Sequence, residues 1–157
     1  MLELRKAVPT DINQIWAVRT SAISLGCRGH YSDDDVQRWA SVAMHSGFPQ
    51  VVAESMFYVV ADNSRVAGFG FLDPATSELC GMFVHPEFQG KGLGKQIVAA
   101  LEMDARRASL DHLWVVSTLN AEAFYASCGF ESQGRSKWNH PNGFELDCIR
   151  MTKRLAE

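Results

Sequence analysis

The chain has 157 residues, of which 46% are hydrophobic and 21% are charged, the proportions of a globular domain rather than of a disordered segment. Fifteen basic and eighteen acidic residues give a net charge of −3, which argues against broad nucleic-acid binding because that requires a basic face. No apolar run reaches the length of a membrane span, and the first residues lack the basic-then-apolar order of a signal peptide. We therefore expect one domain over residues 1–157, cytoplasmic, with no nucleic-acid or membrane partner.

The first half of the chain predicts a strand, two helices and then three antiparallel strands. Residues 2–7 alternate and precede a proline, which is typical of an edge strand. Apolar residues at helical spacing predict a first helix from Ile12 and a second helix that begins after Ser32 and ends at residues 47–49, Gly-Phe-Pro. Turn residues then separate three strand-like runs, residues 57–61, residues 66–72 and a strand from Glu78.

The second half predicts a strand, a long helix, a parallel strand, a short helix and a final hairpin. After the strand from Glu78, apolar residues at helical spacing predict a helix from Leu93 to Ala105. Residues 112–117 are a short continuous apolar run, which favours a central strand parallel to its predecessor. A short helix over residues 120–128 then ends at Gly129, and residues 130–138 and 144–152 read as the last two strands.

A glycine-rich turn joins the strand at Glu78 to the long helix. Its residues are Gln89, Gly90, Lys91, Gly92, Leu93 and Gly94, followed by Lys95. Glycines let the backbone approach a ligand closely, and the first N–H groups of a helix have no internal partner, so this turn suits the oxygens of a diphosphate. The spacing fits neither the Walker pattern nor the dinucleotide fingerprint.

Two linked motifs carry a family resemblance. The first is Gln/Arg-x-x-Gly-x-Gly/Ala after a strand that ends in Val-x-Pro, and the second is Tyr-x-x-x-Gly-Phe at Tyr125, Gly129 and Phe130. In both, the chain resembles the GCN5-related N-acetyltransferases, whose members bind acetyl-coenzyme A at the glycine turn. The resemblance implies an α/β fold with a mixed sheet of about seven strands, about four helices and the order β-α-α-β-β-β-α-β-α-β-β.

The same resemblance implies an enzyme that moves acetyl from acetyl-coenzyme A to a primary amine. The amine belongs to a small molecule or peptide, attack is direct in a ternary complex, no metal takes part, and a homodimer is possible. The implied contacts with coenzyme A comprise the backbone of Met82, Phe83 and Val84, the glycine turn through Lys95, and Asn120. Relatives often carry an asparagine seven residues before the tyrosine, where this chain has Thr118, so Thr118 and Asn120 remain alternatives for the pantetheine amides, and Asn120 could instead cap its helix.

The implied chemistry needs an acid for the departing thiolate and a base for the acceptor amine. Tyr125 is the candidate acid. The resemblance implies Glu78 as the candidate base, because Glu78 lies eleven residues before Gln89, which is the spacing of the catalytic glutamate in the histone-modifying branch of the family. Strand alternation predicts that it shares a face with Met82 and Val84. His85 and water are the alternative bases.

The remaining polar and aromatic residues leave the acceptor open. Candidate acceptor contacts are His30, Tyr31, Trp39, Trp138 and His140. The four widely spaced cysteines, at positions 27, 80, 128 and 148, form no ligand pattern and receive no chemical role. A non-catalytic acyl-coenzyme A sensor and a protein-interaction module are the rival functions.

Overall fold

The computed structural model describes residues 1–155, and its seven strands form one mixed sheet in the order β1-β2-β3-β4-β5-β7-β6. The strands are β1 Leu2–Lys6, β2 Met56–Asp62, β3 Arg65–Asp73, β4 Glu78–Val84, β5 His112–Ser117, β6 Glu131–Asn139 and β7 Glu145–Arg154. The helices are α1 Ile12–Ser21, α2 Asp33–Ala40, α3 Phe48–Glu54, α4 Leu93–Arg107 and α5 Glu122–Ser127. Within these described residues, no helix combines the length and apolar character that crossing a membrane needs.

The strand pairings follow the predicted order. β1 to β4 are successive antiparallel neighbours, β4 and β5 are parallel, and β7 lies between β5 and β6. The parallel pair requires a crossover, and α4 supplies it. The predicted mixed sheet of seven strands is therefore confirmed.

Helices cover the two faces of the sheet with separate apolar clusters. On one face Ile97 and Leu101 of α4, both fully buried, pack with Leu79 and Val115 of the central strands. On the other face α1 and α3 pack against β2 and β3 through residues that include Ile15. β4 and β5 thus lie in the middle of the molecule, between the two helical layers.

The prediction that the second helix ends at residues 47–49 is wrong. α2 ends at Ala40, and a third helix begins at Phe48 with Pro49 in its first turn. Proline favours that position because the first N–H groups of a helix have no intrahelical partner. Residues 1–155 consequently contain five α-helices where about four were expected.

A β-bulge at Cys80 breaks the alternation of β4. Phe71 pairs with Gly81 and Leu72 pairs with Leu79, so Cys80 is an extra residue with no partner on β3. Side chains of even-numbered residues therefore lie on one face of β4 before the bulge and on the opposite face after it.

Candidate active site

The two parallel strands at the centre of the sheet separate soon after they meet. β4 pairs with β5 only through Glu78 with Trp114 and Leu79 with Val115. Beyond these pairs, β4 continues to Val84 with no partner on β5 among the described residues. The gap between the strands opens into a cavity of about 950 Å³. A cavity of this size, lined by residues of both strands, is large enough for a cofactor and an acceptor.

Alternate residues of β4 turn their backbone groups into this gap. The N–H of His85 donates to the carbonyl oxygen of Ala67 at 2.8 Å, so this is a hydrogen-bonded pair of the β3–β4 ladder. Because bonded and non-bonded pairs alternate, Phe83 is also bonded to β3, whereas Met82 and Val84 direct N–H and C=O away from β3. The expectation that all three offer free backbone groups is thus wrong for Phe83.

The turn between β4 and α4 gathers unused N–H donors. Gly90 and Gly92 have φ values of +79° and +78°, a left-handed conformation that favours glycine, and Gly92 is the N-cap of α4. The backbone N–H groups of residues 90–95 donate to no protein acceptor within residues 1–155. A Cβ added at either glycine would meet no heavy atom within 4 Å, so the turn is open to a ligand.

The side chains of the turn have different surroundings. Gln89 donates through Nε2 to the carbonyl oxygen of Val84 at 3.2 Å, which fastens the turn to the end of β4. Gln89, Gly90, Gly92, Leu93, Gly94 and Lys95 line the cavity. Lys91 does not line it, and its Nζ lies 5.6 Å from the ring centroid of Phe88. Lys95 is therefore the lysine of this turn that faces the cavity.

Thr118 and Asn120 both line the cavity just after β5. Asn120 lies in the short 3-10 turn Leu119–Ala121, and the N-cap of α5 is Ala121, without a side-chain cap bond. The alternative in which Asn120 caps its helix is therefore wrong. Both residues stay available to a ligand in the gap.

Tyr125 places its hydroxyl at the cavity. The residue is 5% exposed and lines the cavity, and its hydroxyl has no hydrogen-bond partner among the described residues. Burial raises the pKa of Tyr125 above its ordinary value, so the phenol stays protonated at neutral pH. A free O–H that keeps its proton suits the role of acid.

Glu78 lies on the opposite face of β4 from the one predicted. Leu79 packs in the same apolar cluster as Met82 and Val84, which is possible only because the bulge shifts the alternation. Glu78, the neighbour of Leu79, therefore faces the α1 side. Partial burial raises the pKa of its carboxyl, which makes the carboxylate a stronger base.

His85 is occupied as a cap. Its Nδ1 accepts the N–H of Glu87 at 3.1 Å and closes the 3-10 turn Pro86–Phe88. His85 is also absent from the described cavity lining, whereas Glu78 belongs to it. Of the two candidate bases, the geometry favours Glu78.

Aromatic rings and one arginine form the α1 side of the cavity. The rings of Trp16 and Phe48 lie 5.2 Å apart, and those of Trp39 and Trp138 lie 5.8 Å apart. Four of the five proposed acceptor contacts line the cavity, namely Tyr31, Trp39, Trp138 and His140; His30 does not. Arg19 of α1 lines it as well and is 7% exposed.

The cysteines near the cavity remain thiols. Burial raises the pKa of Cys27 to about 11, and loss of water raises that of Cys80 to about 12. All four cysteines are free. Among the described residues no group of three His, Cys, Asp or Glu side chains is arranged to hold a metal ion.

The sequence interpretation missed Arg19, Trp16 and Phe48. Arg19 follows Ile15 by four residues and precedes Ala22 by three, so it occupies the buried stripe of the first helix. A charged residue in that stripe was the available signal. Phe48 was missed together with α3, because its Gly-Phe-Pro context was interpreted as a helix end.

Comparison with known proteins identifies the family. The model of the acetyltransferase (GNAT) domain matches residues 27–155. The chain is 22% identical over 131 residues to the uncharacterized N-acetyltransferase YafP of Escherichia coli K12, which covers 83% of this chain and 82% of that protein. The chain belongs to the GNAT acetyltransferases.

Solved structures agree with this assignment. A GCN5-related N-acetyltransferase from Rhodopseudomonas palustris, also named Aminotransferase, Class-II, superimposes with a TM-score of 0.88 at 26% identity, covering 98% of this chain and 95% of that one. The PaiA N-acetyltransferase from Thermoplasma acidophilum, solved in complex with coenzyme A, gives a TM-score of 0.77 at 16% identity over 98% and 99% of the two chains. The family resemblance and the fold order drawn from the sequence are confirmed, apart from the additional helix.

Proposed function

We propose that the protein transfers the acetyl group of acetyl-coenzyme A to a primary amine of a small molecule or peptide, by direct attack in a ternary complex. The observation that carries this proposal is the presence of two sets of unused backbone donors at one cavity, at Met82 and Val84 in the gap and at residues 90–95 at the start of α4. Relatives with this fold include one solved with coenzyme A and two solved with acetyl-coenzyme A.

The residues present fit coenzyme A. Oxygens of a diphosphate would accept the N–H groups of residues 90–95, with Lys95 adding positive charge and the dipole of α4 adding its positive end. Met82 and Val84 would pair with the pantetheine amides as an added strand does, and Thr118 or Asn120 would bond the same amides from the other wall. These contacts would fix the thioester beside β4.

The chemistry then assigns roles to three groups. Glu78, directly or through water, would remove a proton from the acceptor ammonium, because only the neutral amine can attack the thioester carbonyl. A backbone N–H near Val84 would stabilise the negative charge on the carbonyl oxygen. Tyr125 would donate its proton to the sulfur as the carbon–sulfur bond breaks, and the second proton released by the attacking nitrogen would restore the phenol, directly or through water. Because burial raises the pKa values of Cys27 and Cys80, both thiols are poor nucleophiles at neutral pH, which favours direct attack over an acetylated cysteine.

Substitution of Gly92 by Val tests the cofactor site, with Gly134→Val as the matched control. Both glycines have positive φ, at +78° and +105°, and an added Cβ meets nothing within 4 Å at either one. Each substitution therefore places a side chain at a positive φ that L-residues rarely adopt, and each adds backbone strain. Gly134 lies in β6, away from the cavity. We expect Gly92→Val to weaken acetyl-coenzyme A binding at least tenfold by calorimetry and Gly134→Val to leave it unchanged.

A measurement of turnover distinguishes the proposed enzyme from the rival hypothesis of a non-catalytic acyl-coenzyme A sensor. Wild-type protein with acetyl-coenzyme A and a panel of primary amines should release free thiol faster than protein without amine. A protein that binds acetyl-coenzyme A but releases no thiol with any amine would be a sensor. Equal affinity of Gly92→Val and wild type for acetyl-coenzyme A would instead refute the cofactor site.

A further inference from the structure

Arg19 is a buried cation that protein carbonyls only partly satisfy. Its Nη2 donates to the carbonyl oxygen of Trp39 at 2.8 Å, and its Nη1 lies 3.4 Å from both the carbonyl oxygen of Ala40 and Oγ1 of Thr20. A guanidinium has five N–H donors, so at least two remain, including the one on Nε. Because no fully buried side-chain nitrogen of the described residues lacks a partner, that Nε is open to solvent, and Arg19 lines the cavity.

No carboxylate neutralises this charge within the described chain. No ion pair within 4.0 Å includes Arg19, whose guanidinium instead lies 4.5 Å from the ring centroid of Trp16. Burial lowers its pKa to about 10, so Arg19 still carries its charge at neutral pH. A buried cation without a counterion is costly, which points to an anion that arrives with a ligand.

The other charged groups of the cavity leave Arg19 free for such an anion. The carboxylates among the described lining residues are Glu78 and Asp147, and Asp147 is engaged by Lys137. The arginine and lysine residues of the lining are Arg19 and Lys95, and Lys95 belongs to the cofactor turn; the other basic side chains there are the imidazoles of His45 and His140. The acceptor side therefore offers a single fixed positive charge among aromatic rings. One cation with two spare N–H donors matches the two oxygens of a carboxylate better than it matches a phosphate dianion.

We propose that Arg19 forms a carboxylate-binding subsite, and that the acceptor is therefore an amine that also carries a carboxylate, such as an amino acid or a compound of that kind. This inference rests on the proposed acetyl transfer and narrows its substrate class. Arg19 would hold the carboxylate while Glu78 receives the ammonium proton, so the two ends of the acceptor would be recognised by opposite charges. The aromatic rings between them would contact the apolar part of the acceptor.

Matched pairs of amines test the subsite. Each pair consists of an amino acid and its carboxamide, with small, branched and aromatic side chains represented, and thiol release from acetyl-coenzyme A is followed. We expect the acid of at least one pair to exceed its amide by tenfold or more in kcat/KM. Arg19→Gln, which keeps hydrogen-bonding capacity for the α2 carbonyls, should lower kcat/KM for that acid by about 10- to 100-fold, mainly through KM, and should leave the amide unchanged. Arg28→Gln, at an exposed residue outside the cavity, is the control and should behave as wild type.

The outcomes separate the subsite from the proposed function. If acids and amides turn over equally, or if Arg19→Gln slows both to the same extent, Arg19 has only a structural role and the inference is overturned. If no amine yields thiol, acetyl transfer to amines is refuted, and calorimetry decides the subsite alone. In that assay N-acetyl amino acids and their carboxamides are titrated into protein saturated with coenzyme A. An Arg19-dependent preference for the acids supports the subsite, and the absence of any preference overturns it.

Discussion

Two tyrosine substitutions should have opposite effects, and together they test the role of Tyr125. The hydroxyl of Tyr125 faces the cavity and has no hydrogen-bond partner among the described residues, so removing it breaks no protein contact. The hydroxyl of Tyr58 lies outside the cavity and donates to Oδ2 of Asp104 at 2.7 Å. Tyr125→Phe should therefore affect catalysis, and Tyr58→Phe should affect stability.

The magnitudes follow from these contacts. Loss of a general acid lowers kcat by about 10²–10⁴-fold, whereas loss of an unpaired hydroxyl changes the free energy of unfolding by no more than about 0.5 kcal/mol. A hydrogen bond to a carboxylate contributes about 1.5–3 kcal/mol, but Asp104 keeps Arg107 at 3.6 Å, so Tyr58→Phe should cost about 1–2 kcal/mol. For a chain of this length that lowers Tm by roughly 2–8 °C.

The assay measures kcat by thiol release, acetyl-coenzyme A affinity by calorimetry and Tm by scanning calorimetry on the two variants and wild type. Tyr125→Phe should keep the wild-type affinity and Tm while losing turnover. Tyr58→Phe should keep turnover and lose Tm. A Tyr125→Phe variant with kcat within about threefold of wild type would refute the assignment of the acid. A larger loss of Tm in Tyr125→Phe than in Tyr58→Phe would show that the hydroxyl of Tyr125 is structural.

Three further substitutions probe the base, the first helix and the sheet. In wild type, kcat/KM should rise as pH increases through the raised pKa of Glu78. Glu78→Gln should abolish this rise and lower the maximal kcat/KM by about 10²-fold, and a pH–rate profile of both proteins measures the difference. Arg5 lowers the pKa of Asp11, so Asp11 stabilises the fold above pH 3.8, and this contribution is lost as pH falls through the lower folded value. Asp11→Asn should therefore be less stable than wild type at pH 7, and urea titrations should show the difference shrinking below pH 3.8. Gly70→Ala would place a Cβ 2.5 Å from Cγ2 of Ile97 and should cost about 1–3 kcal/mol in urea denaturation.

Most of the fold was predictable because its signals are local. The hairpin between β2 and β3, the glycine turn and the buried stripe of α4 each depend on neighbouring residues, and the structure has them where the sequence indicated. α3 was not predicted because a seven-residue helix has only two turns in which to show periodicity. The proline in its first turn also has two interpretations, as the end of one helix or the start of another.

The parts of the candidate site that consist of local backbone motifs were predictable from the sequence. The orientation of side chains that depends on how two strands align was less predictable. The turn at residues 89–95, apart from Lys91, and Tyr125 line the same cavity, so the sequence pointed to residues that the fold brings together, while their roles stay a prediction. The face of Glu78 was predicted wrongly because alternation gives no warning of a bulge, which depends on how β3 and β4 align across the sheet. Arg19 was missed because composition and motifs describe a charged residue without its partners. Only the structure reveals that no carboxylate of residues 1–155 lies within 4.0 Å of its guanidinium nitrogens.

The bulge at Cys80 links the two halves of the proposed chemistry. After it, β4 presents the backbone of Met82 and Val84 to the gap, where the thioester would lie. Before it, Glu78 faces the same side as Arg19 and the aromatic rings, where the acceptor would lie. If β4 had no bulge and Met82 and Val84 kept their present orientation, Glu78 would point toward the apolar cluster under α4. Its carboxylate would then be buried with no partner. In the proposed mechanism, one extra residue would therefore let a single strand hold the donor by its backbone and contact the acceptor with its side chain.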